Sequence, residues 1–258
     1  MIAIAGARKF FHRGTPDERA ALDGLTLELA DGSFTVVIGS NGAGKSTLLN
    51  VLAGSTGLDE GSVCIDGVDV TRWSQLRRAA LVARVLQDPM QGTLPDLSIE
   101  ENLALAEMRT WGRGLGPALT PARRKRHAAL LAGFGVGLES RMGARVGLLS
   151  GGQRQALALS MAVMNAPRVL LLDEHAAALD PRTAEVVMQS TLSAVSTASL
   201  TTLMVTHNMQ HAIRYGERLV MLDAGRIRLD VSGEEKRGLT VEALVERFQL
   251  SNDRMLLA

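Results

Sequence analysis

At 258 residues, the chain is long enough for one large α/β domain or two small ones. It is 46% apolar and 21% charged with a formal net charge of +1, which is ordinary for a soluble globular protein and supplies no whole-molecule field for nucleic acid or another polyanion. The single cysteine, Cys64, excludes an internal disulfide and a multi-thiolate metal site; within the strand-like Val63-Cys64-Ile65 it reads as a small core residue in a reducing compartment.

The N-terminal MIAIAGARKFF lacks the long apolar core and cleavage site of a signal peptide. Leu25, Leu27 and Leu29 alternate with polar residues, which suits a sheet with one solvated face, whereas the continuous run Phe34 to Ile38 suits a strand buried on both. Further buried strands are expected at Val82 to Leu86, Val169 to Leu172, Thr202 to Val205 and Leu219 to Leu222. Helical stretches separate most of them, so the fold class expected is α/β, a largely parallel sheet wrapped by helices. Between Asp88 and Asn165 strand signals fade, and helix-forming stretches such as Ile99 to Met108 and Pro121 to Leu131 take over. This gives an α/β core at 1–88 and 166–230, an inserted helical subdomain at 89–165 and a helical tail at 231–258, in which Thr240 to Phe248 has helical spacing. The cluster Arg123-Arg124-Lys125-Arg126 has no interleaved aromatic residues and reads as a solvated helix face rather than a nucleic-acid surface. The most apolar stretch, Ala156 to Leu172, is broken by Ser160, Asn165, Pro167 and Arg168 and falls short of a membrane span. The expectation is a soluble protein whose membrane association comes through a partner.

Gly39-Ser40-Asn41-Gly42-Ala43-Gly44-Lys45-Ser46-Thr47 satisfies G-x-x-x-x-G-K-[ST], with a strand before it and the helical KSTLLNVLAG after it. Glycines let backbone N–H groups turn inward around phosphate oxygens, and the helix adds the positive end of its dipole. Lys45 brings a compact charge to the β- and γ-phosphates and Ser46 a hydroxyl for Mg²⁺. The alternative, a glycine-rich turn that binds nothing, leaves the ordered strand, lysine, serine and helix unexplained.

The buried run Arg168 to Leu172 ends in Asp173-Glu174. In parallel sheets, ligands gather at the carboxyl ends of strands. Asp173 is therefore placed for the Mg²⁺ shell, and Glu174 is the candidate general base or water-positioning group. Leu149-Ser150-Gly151-Gly152-Gln153 precedes the helical run Arg154 to Met164. Ser150 and Gln153 have capping-box spacing, and the two glycines leave backbone N–H groups uncovered, a second potential anion site without a lysine. In isolation, S-G-G-Q would read as a capped helix with no ligand.

With LSGGQ ahead of Asp173 and the phosphate loop upstream, the whole chain resembles the nucleotide-binding subunit of the ATP-binding cassette family, whose fold is a P-loop NTPase (RecA-like) core with an antiparallel β subdomain and an inserted helical subdomain. The resemblance implies an ATPase using ATP and Mg²⁺. Ser150, Gly151, Gly152 and Gln153 of one subunit would cap the ATP held by the other subunit's phosphate loop. It further implies that Gln87 senses Mg²⁺ and water, that Ala178-Leu179-Asp180 forms the loop crossing the dimer seam, that His207 contacts the γ-phosphate and that Phe11, with Phe10 its adjacent competitor, stacks on adenine where the family usually has Tyr. His175 stands where the family commonly has Pro, a departure read as a subfamily mark. His207 and His211 form H-x-x-x-H, but Asn208 follows the first histidine where a zinc protease needs Glu, and no third ligand is apparent.

The segment Asp88 to Asn102 resembles the permease-contact region of importer ATPases, and LLDEHAAALDP and MVTHNMQHAIRYG resemble importers partnered with periplasmic binding proteins, some tied to aromatic amino acids. The implied partners are a second nucleotide-binding subunit (homodimer or heterodimer), a separate transmembrane permease and a periplasmic or lipoprotein substrate-binding protein, at the cytoplasmic face of the inner membrane. Two other classes compete: a soluble cassette ATPase acting on ribosomes, DNA or iron–sulfur assembly, and a P-loop kinase, in which LSGGQ and His207 have no role.

Overall fold

The computed structural model describes residues 1–108 and 116–247. It divides into two compact units: the first is formed by Met1–Arg78 together with the chain from Thr201 onward, the second by Ala79–Leu200. The first unit opens with β1 (Ile2–Phe11), β2 (Arg19–Leu29), β3 (Phe34–Gly39), α1 (Lys45–Ala53), β4 (Glu60–Ile65), β5 (Val68–Asp69) and the single turn α2 (Gln75–Arg78). The second unit contains β6 (Val82–Val85), α3 (Ile99–Glu107), α4 (Pro121–Ala132), α5 (Gly151–Val163), β7 (Val169–Asp173) and α6 (Pro181–Ala198). The chain then returns to the first unit with β8 (Thr201–Val205), α7 (Met209–Arg214), β9 (Arg218–Asp223), β10 (Arg226–Ser232) and α8 (Gly233–Arg237), after which residues 241–247 are helical. Phe248 and the tail beyond it lie outside the described residues. Among the described residues, no helix is long and apolar enough to cross a membrane.

In the first unit β2, β1, β4 and β5 form an antiparallel sheet, and β10, β9, β3 and β8 lie side by side in that order. β3 runs parallel to both β8 and β9. Its residues Phe34 to Ile38 are all buried, as a nearly continuous β-prone run requires, while from Leu25 to Leu29 in β2 only the alternate residues Leu25, Leu27 and Leu29 are.

Two strands escape the sequence pattern for physical reasons. β1 carries register irregularities between Ile4 and Ala7, where Ala5 and Gly6 are both exposed, so its period-two signal breaks. β10 keeps charged side chains on its outer face, and it joins β9 through Ala224-Gly225, both at positive φ (46° and 75°), as a tight hairpin turn requires. Cys64 departs from the expected core position: Val63 and Ile65 are fully buried, so the alternation of β4 turns Cys64 to the other face, half-buried.

In the second unit β6 and β7 pair in parallel, Val82 opposite Val169 through Val85 opposite Leu172. Around the helices, Ile99, Leu103, Leu131, Leu138, Met142, Val146, Leu149 and Leu157 form one buried cluster. α3 starts at a capping box between Ser98 and Glu101. Arginines of the basic cluster do more than face water: Arg124 pairs with Glu100 at 3.3 Å, and Arg123 and Arg126 both reach Glu107, so α4 docks on the acidic side of α3. Buried His127 lies 3.2 Å from Glu107, and burial holds its imidazole below the ordinary histidine range.

Candidate functional site

The first unit supplies the glycine-rich loop. It leaves β3 at Gly39 and enters α1 at Lys45; two of its three glycines, Gly39 and Gly44, are hemmed in by backbone from distant parts of the chain, and Gly42 by the Arg19 side chain. A Cβ on Gly39 would lie 2.4 Å from the carbonyl oxygen of Leu222 on β9; one on Gly44, at φ 104°, would lie 2.3 Å from that of Ala21 on β2. Ala43 accepts a hydrogen bond from the Gly225 N–H (3.0 Å), and the Arg19 guanidinium donates to the Gly42 carbonyl, so β2 and the β9–β10 turn fix the loop from outside. Lys45 curls back over the loop, its Nζ donating to the carbonyls of Gly39 (2.7 Å) and Ser40 (2.9 Å). Asn41 and Ser46 are exposed, and Thr47 is half-buried.

No side chain caps the start of α1, whose N-cap is Gly44, whereas side chains of Ser98, Thr120, Ser150, Asp180 and Asn208 cap α3, α4, α5, α6 and α7. The start of α1 is therefore left without a side-chain cap, with the Lys45 ammonium on the loop beside it.

His207 stands beside this loop in the strand order. The β3–β8 register runs to Val37 opposite Val205, and Thr206 N–H continues it to the Val37 carbonyl. His207, exposed, therefore leaves β8 at the same end at which the phosphate loop leaves β3. It precedes α7, whose N-cap is Asn208, while His211 lies on that helix with its ring edge-on to Tyr215, so the two histidines do not share a helix face. Phe11 sits at the β1–β2 hairpin end, opposite Arg19, its ring 39% exposed and 5.8 Å from the Lys9 ammonium.

The second unit holds the carboxylates. Asp173 ends β7 and is paired with Arg84 of β6 (Nη2 to Oδ2, 2.5 Å). Glu174 follows at φ 47°, the left-handed region that side chains rarely adopt. Next to it His175 is 2% exposed, its Nε2 3.0 Å from Thr191 Oγ1 on α6. That hydroxyl also lies 2.8 Å from the Val187 carbonyl, so it joins the ring to the backbone of α6. The residue at the family's proline position is thus a buried anchor for the turn carrying Glu174.

Ser150 and Gln153 close a reciprocal capping box at the start of α5, which engages the N–H groups of Ser150 and Gln153 on either side of the two glycines. Gly152 is buried, and a Cβ there would fall 2.1 Å from Thr183 Cγ2 on α6; this glycine serves close helix packing. Gly151 is exposed and lies against Leu179, and Asp180 caps α6 through the Thr183 N–H; hydrogen bonding from the Thr183 hydroxyl, and then from that N–H, holds its carboxyl below the usual range. Gln87 is exposed beyond the end of β6, ahead of the turn Pro89–Gly92 that Asp88 caps.

Two supporting residues give no motif signal. Gln155 of α5 is buried and donates to the Leu86 carbonyl (3.3 Å), tying the segment before Gln87 to the helix that begins at Gly151. Asn102 of α3, 1% exposed, exchanges hydrogen bonds with the backbone of Leu94 and donates to that of Ser98. The only clue to either is an amide amid apolar helix neighbours, which needs a partner once buried.

The ABC transporter family model matches residues 22–177. The chain is 41% identical to a tyrosine transport ATP-binding protein of Clostridioides difficile over 96% of this chain and 99% of that one. It is 38% identical to the aliphatic sulfonates import ATP-binding protein SsuB of Ralstonia nicotianae (83% and 68% covered) and 33% to the lipoprotein-releasing system ATP-binding protein LolD of Roseobacter denitrificans (88% and 97%). Its fold matches the dimeric post-hydrolysis ATP-binding cassette MJ0796 bound to ADP and Pi with a TM-score of 0.78 and 27% identity, over 93% of this chain and all of that one. The P-loop NTPase fold expected from the sequence is therefore the fold observed. The chain belongs to the ABC transporter family, as one of its ATP-hydrolysing cassette subunits.

Proposed function

We propose that this ATPase powers a bacterial importer by closing head to tail with a second nucleotide-binding subunit, most simply a copy of itself. The observation that carries the reading is the contrast between two helix starts. α1 has a lysine and no side-chain cap; α5 is capped and has no lysine. Neither is a complete triphosphate site, and the pair is what a composite pocket shared by two subunits needs.

In this reading the backbone of Gly39 to Thr47 and Lys45 bind the ATP phosphates, Phe11 stacks on adenine, and Ser150 to Gln153 with Asp180 act across the dimer. Glu174 positions the attacking water, and His207 contacts the γ-phosphate. Ser46, Asp173 and Gln87 are all oxygen donors, a set that suits a hard cation, and the guanidinium already lodged on Asp173 shows that this carboxylate accepts positive charge. Mg²⁺ held there would neutralise the β- and γ-phosphates.

The import direction is supported by the 38% identity to a sulfonate importer, against 33–36% for the lipoprotein-releasing ATPases. A transmembrane permease, docked near Gln87, and a periplasmic or lipoprotein binding protein complete the system, with this chain peripheral at the cytoplasmic face of the membrane. The test is capture of the tagged Glu174→Gln variant with ATP from detergent-solubilised membranes. The reading expects an ATP-dependent dimer and a hydrophobic integral membrane protein; recovery of RNA or a soluble scaffold instead, or failure to dimerise, refutes it.

A further inference from the structure

β6 reads Val82-Ala83-Arg84-Val85, three buried apolar residues and a half-buried arginine. A cation in such a strand needs a counter-charge. Arg84 lies opposite Leu171 in the β6–β7 register, so Asp173 is two residues, about 6.6 Å of strand, further along the same face. Arginine spans that distance, and its Nη2 meets Asp173 Oδ2 at 2.5 Å, with both side chains roughly four-fifths buried.

We propose that Arg84 is a positioning residue for the metal-binding carboxylate: its guanidinium holds Asp173 while no Mg²⁺ is bound and yields it when Mg²⁺ arrives with nucleotide. The proposal rests on the reading of Asp173 as a Mg²⁺-shell residue. Asp173 and Glu174 are adjacent acids, and without a cation both would repel an incoming triphosphate. Arg84 cancels one of those charges in advance. It also occupies an oxygen that the metal or a metal-bound water must take over, so it competes with the metal. The two effects have opposite signs: Arg84 helps nucleotide bind without metal and raises the Mg²⁺ concentration needed afterwards.

The experiment titrates a fluorescent, non-hydrolysable ATP analogue into wild type, Arg84→Met, Arg84→Lys and Asp173→Asn, each in EDTA and across a Mg²⁺ series. In Arg84→Met the affinity in EDTA falls about tenfold, the change produced by ~1.4 kcal/mol of lost charge compensation, and half-saturation shifts to lower Mg²⁺. Arg84→Lys, charged but shorter, falls between Arg84→Met and wild type, and carries the same test if the methionine variant does not fold. An unchanged ratio of affinities with and without Mg²⁺ in the Arg84 variants, while Asp173→Asn loses its Mg²⁺ dependence, overturns the role of Arg84 alone. Undiminished Mg²⁺ dependence in Asp173→Asn overturns instead the metal reading on which the proposal rests.

Discussion

Replacing Gly152 by alanine separates two explanations of a glycine that sequence alone cannot tell apart. On helix propensity the change is favourable by up to about 1 kcal/mol, because alanine loses less backbone freedom than glycine. The structure predicts the opposite sign. The new methyl would lie 2.1 Å from Thr183 Cγ2, far inside van der Waals contact. Thr183 is β-branched, and its N–H is held by the Asp180 carboxylate at the start of α6, so it has little freedom to turn away. Overpacking of this kind costs about 1–3 kcal/mol, and the net expected is a loss of about 1–2 kcal/mol. Urea unfolding of Gly152→Ala, Thr183→Ser and the double variant measures it as a coupling energy. Thr183→Ser removes the offending methyl and keeps the hydroxyl, so the double variant regains most of the lost stability. Because the alanine methyl points at Thr183, ATPase activity returns with it. A Gly152→Ala protein as stable as wild type, or one that Thr183→Ser fails to rescue, refutes the packing argument. Stability restored without activity would mean that Gly152 serves the nucleotide directly.

Lys45→Ala removes the ammonium that now rests on the Gly39 and Ser40 carbonyls, and steady-state phosphate release should fall by about a hundredfold or more, the scale of losing one charge from a transition-state clamp. Thr191→Val removes the hydroxyl that buried His175 Nε2 meets at 3.0 Å; a stability loss of about 1–3 kcal/mol is expected by urea unfolding, together with a lower kcat as the Glu174 turn loosens. Lys236 is 3% exposed, donates to the Tyr215 and Gly216 carbonyls, and is pushed by burial from 10.5 to about 8. Between those values the unfolded chain binds the extra proton, so the penalty for burying the charge, fully present below about 8, is relieved as pH rises to 10.5. The gain in urea midpoint between about pH 7.5 and about pH 9.5 should shrink in Lys236→Met, and an equal gain in both proteins refutes the assignment.

What the sequence discloses here depends on whether a physical requirement is met locally or at a distance. The strand at Phe34 to Ile38 and the capping boxes at Ser98 and Ser150 are local: every partner lies within a few residues, and the pattern can be read directly. Glycines divide the two cases. The phosphate-loop glycines are recognisable by spacing, yet what forbids a side chain at Gly39 and Gly44 is backbone from Leu222 and Ala21. Gly152 has the same appearance in sequence and a different cause, a methyl on α6. A glycine says that there is no room; the fold alone says what has taken it. The same limit hides β1, whose bulged register erases its alternation, and Gln155 and Asn102, whose hydrogen bonds matter only once burial is known.

Arg84 lies on the boundary between these cases. A charge inside Val82-Ala83-Arg84-Val85 obliges a counter-charge somewhere, and that much is legible from four letters. Parallel pairing restricts the candidates to an acid near the carboxyl end of a neighbouring strand, and the buried runs offer Asp173 at the end of β7. The ion pair could therefore have been sought from the sequence, because an unmet electrostatic requirement points outward to its partner in a way that an unmet steric one does not.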